Sequence, residues 1–141
     1  MLFKAAAIAA AIVMLGAGAA SAATLHFATG LKGADEVPPN TTPGTGEVTA
    51  TLDTATKAFS YTVTYSGLTG PAVAAHFHGP AAPGSNAPPM IGIKVLASPI
   101  TGTATLTDAQ IASLEAGQWY FNIHTAAIPG GEIRGQLKAA P

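Results

Sequence analysis

Over most of the chain, apolar residues recur in short segments in which they alternate with polar residues. The clearest segment is 58–66, where Phe59, Tyr61, Val63 and Tyr65 are separated by single Ser or Thr residues. A period of two places alternate side chains on opposite faces of a strand. The segment is therefore predicted to be a strand with one buried face, and this face includes Tyr61 and Val63.

Similar short segments follow one another along the chain, and Gly and Pro separate them. Many short strands divided by turns are typical of a β-sandwich, and a closed barrel is the second possibility. The sequence thus predicts an all-β, antiparallel fold. The predicted strands are 24–29, 47–53, 58–66, 72–78, 91–96, 101–105, 118–125 and 131–137.

One segment departs from this period and is predicted to be a short helix at about 108–116. Thr107 and Gln110 stand at the N-cap and N3 positions of a capping box, in which each side chain bonds the other residue's backbone N–H. Gly117 stands where a helix of this length would end. We expect this helix to cover one end of the sandwich.

The first 22 residues follow another pattern, that of a secretory signal peptide. Lys4 precedes an Ala-rich apolar stretch, and Ala20, Ser21 and Ala22 supply the small residues that a signal peptidase recognises. We therefore predict a signal peptide at 1–22 and a secreted or periplasmic domain at 23–141. A membrane anchor is the alternative, but the stretch is short and poor in Leu.

Composition narrows the classes of function. The chain has 6 Lys+Arg and 7 Asp+Glu, with a net charge of −1, and it shows no basic patch. Nucleic acid is therefore not an expected partner. The absence of Cys excludes disulfides and thiolate chemistry. No second apolar run of spanning length follows the predicted signal peptide, so no membrane contact is expected after its cleavage.

Several segments of the chain share the pattern of one known module. They are 33–39 (GADEVPP), 66–71 (SGLTGP) leading into 76–80 (HFHGP), 116–125 (AGQWYFNIHT) and 129–137 (PGGEIRGQL). In these segments the chain resembles the CHRD domain, a module repeated in the BMP antagonist chordin and found alone in many exported bacterial proteins. The resemblance implies an immunoglobulin-like β-sandwich and no established enzymatic activity. The growth-factor role of chordin does not carry over to a single domain.

Three histidines are candidate metal ligands. His76 and His78 are two residues apart on a predicted strand, so both side chains leave the same face. His124 lies on another predicted strand, on the face shared with Tyr120 and Asn122. Three imidazoles with an open coordination position suit copper or zinc.

This His-x-His pair also resembles the start of the copper site of copper–zinc superoxide dismutase. Residues 79–90, however, lack the histidine-rich zinc loop of that enzyme, and no disulfide is available. The alternative interpretation is structural, with each ring hydrogen-bonded to the backbone of a neighbouring loop. His26 is the fourth histidine, and its part in a site is left open.

Glu132 and Arg134 are a second candidate pair, two residues apart on one strand face. Arg134 is the only arginine in the chain, which favours a specific role for its planar guanidinium. We predict a structural pair, with contacts from Arg134 to the loop at Asp35 and Glu36 as the alternative. No Ser-His-Asp order, P-loop or dinucleotide motif is present, so no catalytic residue is predicted.

Two functions remain open from the sequence. The first is a non-enzymatic binding or structural module of the cell envelope or exterior, with a protein or an envelope polymer as its partner. The alternative is a copper- or zinc-binding protein that uses His76, His78 and His124 in a dismutase-like layout. Ligand nitrogens that share one ion at about 2.0–2.1 Å must lie within roughly 3–4 Å of one another. The separation of the three rings therefore distinguishes the two.

Overall fold

The computed structural model describes residue 18 and residues 21–141. The predicted signal peptide at 1–22 lies almost entirely outside the described residues. Within the described part of the chain, no helix is long and apolar enough to cross a membrane.

The described residues form nine strands, a short 3-10 turn at Gly33–Asp35 and one α-helix. In chain order the strands and the helix are β1 (Thr24–Lys32), β2 (Thr45–Asp53), β3 (Ala58–Ser66), β4 (Ala72–His78), β5 (Pro89–Gly92), β6 (Ile100–Thr105), α1 (Asp108–Glu115), β7 (Tyr120–Thr125), β8 (Ile133–Gln136) and β9 (Lys138–Ala140).

The strands pair in one continuous antiparallel sheet. Their order across the sheet is β5-β4-β7-β8-β1-β2-β3-β6, and β9 also pairs with β1. The prediction of an all-β, antiparallel fold with one short helix is therefore confirmed.

The sheet curls until its two halves face each other across a single core. Phe59 of β3 and Phe77 of β4 have ring centroids 5.3 Å apart, and Tyr61 of β3 lies 4.9 Å from Phe77. Four strands separate β3 from β4 in the sheet, so these contacts arise only because the sheet folds over. The two facing layers resemble a sandwich, while the continuous hydrogen bonding approaches a closed barrel.

The alternation in β3 predicts its buried face, with one correction. Phe59 and Val63 are fully buried, as expected. Tyr61 is only half-buried. It lies at the seam where the two edge strands, β5 and β6, approach each other without pairing, and it lines a cleft there with Ile91 and Gly102.

Two predicted strands differ most in the structure, while the ends of the others agree within three residues. The segment 91–96 was expected to be a strand, but β5 is Pro89–Gly92 and the chain then leaves the sheet. β5 is a short edge strand that pairs only with β4, so little holds the chain in register beyond Ile93. The predicted strand 131–137 is divided at Leu137 into β8, which lies between β7 and β1, and β9, which pairs with β1.

The helix forms as predicted, and it ends one residue earlier, at Glu115. The Thr107 side chain accepts the Gln110 N–H, and the Gln110 side chain accepts the Thr107 N–H. This reciprocal pair satisfies two N–H groups that a helix start otherwise leaves without a partner. Leu114 packs into the core, which fixes the helix against the sheet.

Candidate metal centre

The pairing of β4 with β7 brings the three candidate histidines to one face of the sheet. His76 faces Asn122, His78 faces Tyr120 and His124 faces Ala74 across the strand pair. Residues directly opposite each other in an antiparallel pair share a face. All three histidines therefore lie on the outer face, opposite the face that carries the core phenylalanines, as the alternation of the sequence predicts.

The three imidazoles converge. Nδ1 of His76 and Nε2 of His124 are 3.4 Å apart. One ring nitrogen from each of the three residues lies within 4.8 Å of the others. The pair His76–His124 meets the 3–4 Å separation that a shared ion requires, and His78 lies somewhat farther away.

Two of the rings have their orientation set by backbone carbonyl groups. Nδ1 of His124 is 2.9 Å from the carbonyl oxygen of Pro129, and Nδ1 of His78 is 2.8 Å from that of Ala87. A carbonyl can only accept, so Nδ1 carries the proton in both rings and Nε2 is left as the base. Metal-bound histidines usually donate their other N–H in this manner.

His78 makes a further contact that a metal ion would compete with. Its Nε2 lies 2.9 Å from the side-chain amide of Asn122. The amide atom is Oδ1, and a neutral ring that donates from Nδ1 to the Ala87 carbonyl cannot also donate to it. Recruitment of Nε2 to an ion would separate it from Oδ1 of Asn122.

The surroundings of His76 and His78 favour the neutral form of these two rings. Burial lowers the pKa of His76, and the neighbouring His124 and His78 lower it further. Burial also lowers the pKa of His78, against the raising effect of its hydrogen bonds to Ala87 and Asn122. Neutral imidazole is the form that binds a metal ion.

Access to the three rings differs. His76 and His124 are half-buried, whereas His78 is only 7% exposed. The His78 ring stacks on Tyr120, with centroids 4.6 Å apart and an angle of 5° between the planes. The segment 79–88, which connects β4 to β5, covers it. A solvent ion therefore meets His76 and His124 first. His26 lies exposed on β1, outside the cluster.

Arg134 and Glu132, predicted as a structural pair, have separate partners. The Arg134 guanidinium donates to Oδ1 of Asn86 and to the carbonyl of Ser85, and it lies 3.5 Å from the Tyr120 ring centroid. In the described part of the chain the two salt bridges are elsewhere, one of them Lys57–Asp108.

The buried Glu132 carboxylate instead accepts hydrogen bonds from three threonines. The physical reason is that Glu132 precedes β8, where its side chain reaches Thr42 and Thr69 in two loops and Thr125 at the end of β7. No spacing in the sequence could have identified these threonines, since they are far from one another along the chain. The alternative prediction, a contact of Arg134 with the loop at Asp35 and Glu36, agrees better with the structure. The charge of Arg134 acts to lower the pKa of buried Glu36.

The comparison with protein families agrees with this arrangement. The model of the family described as the CHRD domain matches residues 27–137. These residues include every strand from most of β1 to β8, together with all three histidines. No curated protein and no solved structure matches the chain.

Proposed function

The chain belongs to the CHRD-domain family, and we propose that it is an exported, non-enzymatic member that binds one copper(II) or zinc(II) ion through His76, His78 and His124. The observation that carries this proposal is the convergence of three ring nitrogens on the outer face of the sheet. The carbonyl groups that orient His78 and His124 support it.

The spacing of the first two ligands supports tetrahedral coordination. Two nitrogens bound at about 2.0–2.1 Å to a tetrahedral ion lie about 3.4 Å apart, and Nδ1 of His76 and Nε2 of His124 are separated by 3.4 Å. His78 completes the set by moving toward them, away from Asn122. Water would take the fourth position.

The choice between the two metals follows from the ligand type and the geometry. For a site of imidazole nitrogens, copper(II) binds more tightly than zinc(II) in the general affinity order of divalent ions. The tetrahedral spacing of the first two nitrogens fits zinc(II), which is almost always tetrahedral in structural protein sites. The two ions are therefore tested side by side.

The start of the folded domain supports export with cleavage after Ala22. Ala23 donates its N–H to the Thr54 side chain at 3.0 Å, and its carbonyl accepts the Thr54 N–H at 2.9 Å. Removal of residues 1–22 would leave these contacts in place. Mass spectrometry of the exported protein should therefore give Ala23, or a residue next to it, as the first residue.

The test of the metal proposal is calorimetric titration of metal-free protein with zinc(II) and with copper(II) at pH 7.5. We expect one ion per chain and weaker binding as the pH falls, because protons compete for the ring nitrogens. The variant in which His76, His78 and His124 are all Ala should lose the site. The matched control is His26→Ala, which removes an exposed histidine outside the cluster.

Two outcomes would contradict the proposal. Binding that survives in the triple variant would place the metal elsewhere on the protein. Absence of binding at micromolar zinc and copper would leave the histidines with a structural role. The protein would then be a module that binds a protein or an envelope polymer by other surfaces.

A further inference from the structure

A second site lies on the same outer face of the sheet, around Arg134. A pocket of about 480 Å³ reaches this residue. Its volume lies in the range of small-molecule sites. The walls come from β1, the 3-10 turn and the residues after it, the segment 79–88, β8 and β9. We call it the Arg134 pocket, and its lining includes Glu36, Val37, Pro83, Arg134, Gln136 and Lys138.

The buried cation at this pocket has no anionic partner at salt-bridge distance. Arg134 is 1% exposed. Among residues 21–141 the salt bridges are Lys32–Asp35 and Lys57–Asp108, and neither involves Arg134. Its hydrogen-bond acceptors, Oδ1 of Asn86 and the Ser85 carbonyl, are neutral. Buried charges in proteins are usually paired, so a cation in this position favours an anion from outside the chain.

The guanidinium keeps donors for such an anion. It has five N–H groups in a planar fork. In the described structure, Asn86 accepts from Nη1 and Ser85 from Nη2. The Tyr120 ring, 3.5 Å from the guanidinium carbon, fixes the plane of the fork. A carboxylate presents two oxygens that match two parallel N–H groups of arginine, as a phosphate group also does.

The other residues that line the Arg134 pocket indicate the chemistry of the rest of the ligand. Ala34, Val37, Pro39 and Pro83 form apolar walls, which suit an organic body better than an inorganic ion. Lys138 is exposed at the pocket and adds a second positive charge.

The acidic groups at the pocket limit the charge of the ligand. Asp35 is already paired with Lys32. Burial raises the pKa of Glu36 to about 7, so its carboxyl is only partly ionised at neutral pH. Any negative charge on it would repel a ligand of high charge more than a monoanion.

We propose that the Arg134 pocket binds a small organic carboxylate, with its two oxygens on the guanidinium of Arg134 and its apolar part against Pro39 and Pro83. This site is separate from the metal centre, although Tyr120 borders both. Its existence does not depend on metal binding.

The test uses matched pairs of ligands that differ only in the charged group. Nitrogen-15 NMR spectra of the protein are recorded with acetate against acetamide, succinate against succinamide, and glucuronate against glucose, each up to tens of millimolar. Inorganic phosphate is the control anion. We expect a carboxylate to shift the signals of Gly84, Lys138 and the Arg134 side chain, and its neutral analogue to bind at least about tenfold more weakly.

Variants then locate the site. Lys138→Met should weaken carboxylate binding about two- to fivefold, as loss of one exposed charge does. The matched control Lys94→Met, in the loop that follows the edge strand β5, should leave carboxylate binding unchanged. Arg134→Lys should weaken it at least about tenfold, because an ammonium group cannot replace the fork. Circular dichroism shows whether that variant is folded, and Glu36→Gln, which removes a negative charge from the pocket, should strengthen binding in any case.

The proposal fails if no carboxylate shifts these signals. It also fails if the neutral analogues bind equally well, which would make the pocket a neutral-sugar or amide site, or if phosphate alone binds. Weaker binding in Glu36→Gln, or equal losses in Lys138→Met and Lys94→Met, would place the ligand elsewhere.

Discussion

The position of the buried Glu36 side chain requires a glycine at residue 131. Its carboxyl lies against Gly131, where a side-chain Cβ would collide with the carboxyl oxygens. Gly131 also has a φ of +130°, which favours glycine. Oε1 of Glu36 has no hydrogen-bond partner among the described residues. Burial accordingly raises the pKa of Glu36 to about 7, although Asn122 and Arg134 act to lower it.

We expect Glu36→Gln to stabilise the protein above neutral pH. Because the folded state holds the Glu36 proton more tightly than the unfolded state, wild-type stability falls as the pH rises from about 4.5 to about 7. The gain in the variant should approach roughly 3 kcal/mol at pH 8.5, since one pKa unit corresponds to about 1.4 kcal/mol. Urea unfolding at pH 5 and pH 8.5 measures it.

The control for this experiment is Glu115→Gln, at the exposed end of the helix. Its effect on the free energy of unfolding should be within about 0.5 kcal/mol at both pH values. If Glu36→Gln gains no more than this control at pH 8.5, Glu36 carries no buried charge in the folded protein.

Glu132 has the opposite electrostatics. Burial alone would raise its pKa, but hydrogen bonds from Thr125, Thr42 and Thr69 outweigh burial and lower the pKa. A lowered pKa in the folded state contributes stability that is present above about pH 4.5 and is lost as the pH falls below it. The charge of Glu132 thus connects two loops and the end of β7 to the start of β8.

We expect Glu132→Gln to destabilise the protein by about 2–4 kcal/mol at pH 7, because an amide cannot accept at both ends and the hydroxyl donors lose a charged partner. The difference from wild type should shrink as the pH falls below about 4. Chemical unfolding at pH 7 and pH 3.5 tests both parts. The control Glu47→Gln removes an exposed carboxylate from β2, and an equal loss there would contradict this role of Glu132.

At the scale of elements, the sequence predicts the bounds of β3 and β4 best. The bounds of β3 and β4 agree with the predicted segments 58–66 and 72–78. Both strands are paired on both sides, so alternation and register act together. The helix is equally well predicted because its capping box is local.

The predicted bounds are poorer at the edge strand β5, which pairs on one side only. β5 pairs only with β4 and stops at Gly92, although the apolar pattern continues to Leu96. Alternation places His76 and His78 on one face, but His124 joins them only because β7 pairs with β4 in this register. The partners of Arg134 could not follow, because they come from the irregular segment 79–88 with no periodic signal.

The core face of β3 provides a test at this scale. Val63 is fully buried and faces Val48 and Ile100 on the neighbouring strands. Val63→Asp should cost about 4 kcal/mol or more, because it places an unpaired charge in the core. Thermal unfolding measures the loss. The control is Thr62→Asp, on the exposed face of the same strand, and equal melting temperatures for the two variants would mean that the face is assigned incorrectly.

In the whole molecule, the two faces of the curled sheet have different roles. The inner face holds the apolar core, while the outer face of β4, β7 and β8 carries polar side chains under the segment 79–88. Tyr120 lies at the centre of this outer face. His78 stacks on its ring and the Arg134 guanidinium lies 3.5 Å from its centroid, so the ring separates the metal centre from the Arg134 pocket.

The strands β4, β7 and β8 each form hydrogen bonds with the segment 79–88 through side chains on the outer face. His78 of β4 and the Tyr120 hydroxyl of β7 both contact the Ala87 carbonyl, and Tyr120 also accepts the Ala87 N–H at 3.1 Å. From β8, Arg134 bonds the Ser85 carbonyl and Gln136 bonds that of Ala81. Tyr120 therefore contacts the segment 79–88, His78 of the metal centre and Arg134 of the Arg134 pocket.

Tyr120→Phe keeps the ring between His78 and Arg134 but removes both hydrogen bonds to Ala87. We expect a loss of about 1 kcal/mol in unfolding free energy and faster hydrogen exchange of the amides in 79–88. Zinc affinity should fall a few-fold, because the carbonyl that orients His78 loses its second contact. Exchange mass spectrometry and calorimetry measure these effects.

The control Tyr65→Phe removes a hydroxyl bond to the Leu96 carbonyl, remote from the histidines, and it should leave exchange in 79–88 and zinc affinity unchanged. If Tyr120→Phe behaves like this control, the segment is held without Tyr120 and the two sites are mechanically independent.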